Sequence, residues 1–288
     1  MPIANMRGLL LEARAQGRAV GAFSVSSIEM IMGVVSAAEA LRTPVILQVA
    51  QARLKATPLP VLGAAMRAAA AGASVPVGVH LDHGMTMDVI MAALDAGFTS
   101  VMFDGSAMSM RDNIDQTLRV ISLARPYGAA VEAEIGRVGR TEGGEPSPAE
   151  YARPGDCVRF ARETGVDALA VGIGNAHGVY AGTPDLQFHV LEKVQALIDT
   201  PLVLHGGTGI SDGDFRRCIA LGVHKINIAT ALFQAAAQAA AQNAEDGYFA
   251  MACAALEGAR EVAKRHIRVF GVCPPQEGGI SHDRAVSM

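Results

Sequence analysis

Several features that would assign this chain to a compartment or a binding class are missing. Its four cysteines, Cys157, Cys218, Cys253 and Cys273, form no CxxC pair. That excludes a zinc knuckle and a thioredoxin-type motif, and free thiols in a reducing compartment are expected. The opening residues, Met1-Pro2-Ile3-Ala4-Asn5-Met6-Arg7, lack the basic-then-apolar order of a secretory leader. Apolar runs are broken by charge or glycine well short of the ~20 residues that span a bilayer. Lysine and arginine are scattered, and the formal charge is −4, so there is no electrostatic footprint for nucleic acid. The expected protein is cytoplasmic, with neither membrane nor nucleic acid as a partner. The lysines are only Lys55, Lys193, Lys225 and Lys264. A Schiff-base enzyme needs a buried lysine, and of these only Lys225 falls within an expected strand.

What is present is an alternation. The chain has 288 residues and is 50% hydrophobic, enough for one barrel domain of ~250 residues with short additions. Short β-rich runs at 20–25, 45–49, 77–81, 100–103, 130–135, 168–172, 202–205 and 225–228 are apolar without clear alternation, as in parallel strands covered on both faces. Helical stretches separate them at 28–41, 58–71, 87–96, 111–125, 157–164, 186–198 and 212–220, with Gly97, Gly165, Pro201 and Gly222 closing units. Eight strand-then-helix repeats predict an α/β fold, a (β/α)8 TIM barrel with extra C-terminal helices. A helix near 5–16 is expected to cap the barrel bottom. Alanine-rich helices at 231–243 and 249–268 exceed what the last repeat needs, and are expected over the active site or a subunit contact. The expected domain is 1–272, with a loose tail at 273–288. The segment 136–156, rich in glycine and proline, is long enough to be a mobile lid, and it carries Glu142.

Barrel chemistry sits just beyond the C-terminal ends of the strands. His83, His177 and His205 follow three different strands. Three imidazoles and one open position describe a catalytic zinc site, which can polarise a carbonyl. Each histidine alone would more often be structural. His80 reads as core or as a support for the ligands. Glu132, Glu134 and Asp104 lie at the ends of strands five and four. Gly178, Gly206, Gly207 and Gly209 expose backbone N–H groups beside a helix start capped by Ser211, a cradle suited to phosphate, with Thr208 and Thr230 as further donors.

Five blocks in order carry a family resemblance. They are His80-Leu81-Asp82-His83-Gly84, Val131-Glu132-Ala133-Glu134-Ile135-Gly136, Gly174-Asn175-Ala176-His177-Gly178-Val179-Tyr180, Leu204-His205-Gly206-Gly207-Thr208-Gly209 and Lys225-Ile226-Asn227-Ile228-Ala229-Thr230. Together they resemble class II fructose-bisphosphate and tagatose-bisphosphate aldolases. The resemblance implies Zn2+ held by His83, His177 and His205, with Glu134 and Asp104 near an alternative metal position. It implies Asp82 as the proton carrier at the aldehyde oxygen and Glu142 as the proton carrier at the nucleophilic carbon. It places the dihydroxyacetone phosphate portion on Gly178, Gly206, Gly207, Thr208, Asn227, Ile228 and Thr230, with Ser24 on the substrate's flank. Carbonyls of Gly178 and Gly206 would also suit a monovalent cation, Na+ or K+. A small sugar phosphate is the implied partner, and a homodimer or homotetramer the implied assembly.

The chain departs from the family on one side of the site. Phe23-Ser24-Val25-Ser26-Ser27 stands where the family reads Phe-Asn-Val-Asn-Asn, and Ala50 stands where it has serine. Asp246-Gly247-Tyr248 lacks the arginine of the family's Asp-Pro-Arg. These changes point to an aldehyde other than glyceraldehyde 3-phosphate. Two other readings stay open at this level: a zinc hydrolase on the same barrel, and an aldolase-like subunit assisting a partner.

Overall fold

The computed structural model describes residues 3–140, 149–180 and 182–272. Eight parallel strands close into a barrel: β1 (Val20–Ser24), β2 (Val45–Ala50), β3 (Val77–Gly84), β4 (Ser100–Phe103), β5 (Ala130–Ile135), β6 (Ala168–Val171), β7 (Leu202–Leu204) and β8 (Val223–Ile228). Each pairs with its neighbours in chain order, and β1 meets β8 with Ala22 beside Asn227. The expected (β/α)8 barrel is therefore observed. The strand sequences suit it because both faces are covered, so almost every strand residue is buried.

Alternation along the strands sorts side chains into two environments. Val79, Leu81, Val131, Ala133, Leu169, Ile226 and Ile228 face outward into the main core, against the surrounding helices. Inward, the lower barrel is apolar and small-volumed, with Val20, Ala22, Ile46, Ala130, Ala168 and Val203. The helix α1 (Met6–Ala15) plugs it from below. Its Met6, Leu9, Leu10 and Ala13 recur at helical spacing and are buried, and the Asn5 side chain caps its start by accepting from the Arg7 N–H. Above this plug the inward positions turn polar: Gln48, His80, Asp82, Ser100, Glu132, Lys225 and Asn227 are all buried.

The remaining helices are α2 (Ile28–Ala40), α3 (Leu59–Gly72), α4 (Met87–Asp95), α5 (Met110–Ala124), α6 (Pro154–Thr164), α7 (Phe188–Gln195), α8 (Asp212–Ala220), α9 (Thr230–Gln242) and α10 (Tyr248–Phe270). The C-terminal pair packs on the barrel flank: α10 lies along α2 and α9, and the Ala19 N–H donates to Phe270 O at the barrel bottom. Small residues allow this approach. A Cβ on Gly33 would stand 2.5 Å from Leu256 O, and one on Gly258 would stand 2.7 Å from Ala235 O.

Two local expectations are corrected. β3 extends to Gly84, so Asp82 and His83 lie within the strand and not beyond it. Glu132 and Glu134 lie inside β5, as the expected strand at 130–135 has them. α6 starts at Pro154, because proline at a first helical position costs no hydrogen bond; the helix thus consumes the end of the expected loop. The flanks of that loop are ordered by pairing: Gly139–Arg140 forms a short parallel ladder with Ala176–His177, and Arg137 bridges Glu150. Residues 141–148, with Glu142, and the tail 273–288 lie outside the described residues.

Candidate active site

The barrel mouth brings the three histidines together. Ring centroids are 4.9 Å apart for His83 and His177, 4.7 Å for His83 and His205, and 5.9 Å for His177 and His205. One ring nitrogen from each lies within 4.8 Å of the others. His205 follows β7 directly, and His177 sits in the short ladder after β6. His83 arrives through an irregularity: the β3–β4 register shifts between Leu81 and Gly84, and His83 has φ of +44°. Such a bulge re-aims a side chain. Here it lets consecutive residues, Asp82 and His83, both serve the mouth. The left-handed conformation is strained for a non-glycine residue, a feature that concentrates at functional sites.

The imidazoles are oriented by carboxylates behind them. His83 Nδ1 is 2.8 Å from Asp104 Oδ2, and Asp104 Oδ1 accepts from the Ser106 hydroxyl and N–H. His205 Nε2 is 2.8 Å from Glu132 Oε1. The opposite nitrogens, His83 Nε2 and His205 Nδ1, then face each other at 3.0 Å. Two imidazole nitrogens on one tetrahedral zinc lie ~3.3 Å apart, given Zn–N of ~2.0–2.1 Å. The donor set and its carboxylate backing therefore fit a divalent metal. His83, Asp104 and Glu134 make a second group with ligand atoms within 4.8 Å of one another. Glu134 Oε1 accepts from the Val138 N–H, while its Oε2 is buried without a hydrogen-bond partner.

The electrostatics attract cations. Burial pulls the His83 pKa down, but Asp82, Asp104 and Glu134 outweigh it and lift it to about 10. Asp104 is held well below the usual carboxylate range: burial opposes this, and the His83 hydrogen bond and charge, helped by Ser106, prevail. Burial, then the Asp104 charge, push Glu134 up to about 8. Burial, then His83, hold His205 far below an ordinary imidazole. His205 is thus neutral and offers a lone pair, whereas His83 without metal carries a proton beside Asp82 and Asp104.

Beside the histidines is a narrow cleft. It is lined by Asp82, Ser24, Asn227 and Gln48 together with Gly178, Gly206, Gly207, Thr208 and Thr230. Asp82 is buried, with Oδ2 accepting from Gln48 Nε2 at 3.1 Å and Oδ1 from Asn227 Nδ2 at 3.2 Å. Gln48 also donates to the Ser24 hydroxyl. At Gly206 only glycine fits: φ is +65°, and a Cβ would lie 2.2 Å from Ala176 O. Ser211 caps α8 as expected, accepting from the Asp214 N–H. Ile228 does not line this cleft; strand alternation turns its side chain into the outer core.

Sequence reading had not assigned several contributors. Gln48 holds Asp82, Glu132 holds His205, and Asn175 Nδ2 donates to His205 O. The Tyr180 hydroxyl accepts from the Ala176 N–H and donates to Gly206 O, joining the loops that carry His177 and His205. Glu132, Asn175 and Tyr180 stand in the sequence blocks that carry the resemblance, whereas Gln48 stands in none. His80 is a buried support, bonded to the Ser100 hydroxyl through Nδ1.

Comparison with known proteins gives the family. The family model described as fructose-bisphosphate aldolase class-II matches residues 4–273. The 6-phospho-5-dehydro-2-deoxy-D-gluconate aldolase of Halalkalibacterium halodurans is 38% identical over 283 residues, covering 94% of this chain and 96% of the relative. The sulfofructosephosphate aldolase of Alkalicoccus urumqiensis is 36% identical, over 91% of this chain and 94% of its own. The crystal structure of the YdjI aldolase from Escherichia coli K12 superposes with a TM-score of 0.86 at 35% identity, covering 94% of this chain and 98% of that one. The chain belongs to the class II fructose-bisphosphate aldolase family.

Proposed function

We propose that the protein is a zinc-dependent aldolase that reversibly cleaves a ketose phosphate into dihydroxyacetone phosphate and an aldehyde other than glyceraldehyde 3-phosphate. The observation that carries this reading is the convergence of the three imidazoles directly beside Asp82 and the glycine-lined cleft. His83, His177 and His205 hold the metal, with Asp104 and Glu134 flanking it. Bound zinc supplies a Lewis acid for the negative charge that develops on substrate oxygen. Asp82, steadied by two amide donors, takes the hydroxyl proton in cleavage and returns it in condensation. Glu142 moves the proton at the nucleophilic carbon. Gly178, Gly206, Gly207 and Thr208 bind phosphate with Asn227, Thr230 and the Ile228 backbone, and carbonyls of Gly178 and Gly206 take a monovalent cation.

The aldehyde side supports a substrate unlike fructose 1,6-bisphosphate. Ser24 and Ala50 are short where the family carries larger or polar groups, and Asp246-Gly247-Tyr248 offers no arginine. Relatives of this chain bear the names of aldolases for a deoxygluconate phosphate and a sulfo-sugar phosphate. Assembly as a homodimer or homotetramer, supported by the exposed Tyr248 and Phe249 at the start of α10, is checked by light scattering.

Deuterium exchange at the nucleophilic carbon of dihydroxyacetone phosphate tests the reaction without knowledge of the aldehyde. We expect exchange with zinc present, loss on chelation, a strong drop in Glu142→Ala and none in His205→Ala. Absence of exchange in the zinc-loaded protein overturns the proposal. Cleavage of fructose 1,6-bisphosphate as fast as that of the best ketose phosphate tested removes the aldehyde assignment.

A further inference from the structure

Below the histidines lies a buried cation that the chemistry described so far does not use. Lys225, on β8, is fully buried in the barrel. Its Nζ stands 2.9 Å from Glu132 Oε2, an ion pair, and donates to Asn227 Oδ1 at 2.8 Å. The other oxygen of Glu132 meets His205 Nε2 at 2.8 Å. His80 Nε2 stands 3.6 Å from the same Glu132 Oε2.

The donor and acceptor inventory makes this chain directional. An ammonium has donors only, so both of its partners must present oxygen. Asn227 therefore turns its oxygen to Lys225 and its Nδ2 to Asp82, as observed. Glu132, with Oε2 held by the ammonium, is kept an acceptor whose Oε1 can only receive. His205 must then carry its proton on Nε2, leaving the Nδ1 lone pair pointing at the metal side, 3.0 Å from His83 Nε2. A buried carboxylate without its ion-pair partner would be free to rotate away from His205.

We infer that Lys225 is a positioning residue for the metal centre, acting through Glu132 to fix the orientation and tautomer of His205. The inference rests on the metal-dependent reading above. It assigns Lys225 no contact with substrate and no covalent role.

Full-length protein, stripped of metal, is titrated with Co2+ alone as the probe, reading its visible absorption band. The wild type is compared with Lys225→Met, Glu132→Gln and the double variant. Lys225→Met is expected to weaken Co2+ binding about 10- to 100-fold, the range for loss of a group supporting a metal ligand. The double variant is expected to bind no more weakly than Glu132→Gln alone, because the lysine acts through that carboxylate. Lys225→Met binding within twofold of wild type, or additive losses in the double variant, overturns the inference. If Lys225→Met does not fold, the double variant against Glu132→Gln decides by the same criterion. Nitrogen-15 NMR of histidine-labelled wild type gives an independent answer: an Nδ1–H tautomer for His205 overturns it. A wild type that binds no Co2+ sinks the metal-dependent reading itself, a distinguishable result.

Discussion

Loading the metal should expel a proton, and the size of the effect follows from the charges around His83. Without metal, Asp82, Asp104 and Glu134 hold its pKa at about 10, so the ring is an imidazolium at neutral pH. A metal needs the neutral ring, so it competes with that proton. At pH 7 the difference is 10 − 7, about 3 units, which weakens apparent affinity about a thousandfold, or about 4 kcal/mol at 1.36 kcal/mol per unit. The sign is fixed: affinity rises with pH, about tenfold per unit between pH 6.5 and 8.5 from His83 alone. His205 adds nothing, because burial keeps it neutral throughout this range. Glu134, lifted to about 8, can release a second proton, so Glu134→Gln isolates the histidine. The assay is zinc titration calorimetry in buffers of different ionisation enthalpy, which counts protons directly. We expect about one proton per zinc at pH 7 in Glu134→Gln and more in the wild type. No proton released, or equal affinities at pH 6.5 and 8.5, would refute the assignment of His83 as a cation in the metal-free centre.

Other outcomes follow from the same geometry. Metal-free protein should lose thermal stability from pH 6.5 to 9: the folded state binds more protons than the unfolded chain, at His83 between 6.5 and about 10 and at Glu134 between 4.5 and about 8. A melting temperature that rises over this interval contradicts the shifts. Asp82→Ala should cut turnover of the zinc-saturated protein by about 10²–10⁴ with the metal retained, since a proton carrier is lost and no ligand; zinc content beside a cleavage assay separates the two. Gly206→Ala, with its Cβ forced against Ala176 O, should raise KM for the ketose phosphate, and an unchanged KM would place the phosphate elsewhere. Leu10→Ala, in the barrel plug, should cost about 2–5 kcal/mol in denaturant unfolding with the metal site retained, and a loss under 1 kcal/mol would show the plug to be dispensable.

The strands were legible because a parallel strand covered on both faces must be apolar throughout, and eight such runs left little choice of fold. His83, His177 and His205 were legible as a group because barrel geometry sends the C-terminal ends of all its strands to one mouth. Strand ends were less legible: the apolar signal stops at Leu81, yet β3 continues through polar Asp82 and His83, since the inner face at that height is a polar layer.

Sequence by itself thus determined the barrel, the family and the three histidines that meet at its mouth. Local composition and spacing suffice where each strand meets the same apolar surroundings. Tertiary structure alone decided the partners: Gln48 on Asp82, Asp104 behind His83, and Glu132 between Lys225 and His205. These contacts join strands 73 positions apart in the chain for Glu132 and His205, and 21 apart for His83 and Asp104. Strand register and the bulge at His83 set them, and no local pattern encodes which inward side chain meets which across a closed barrel.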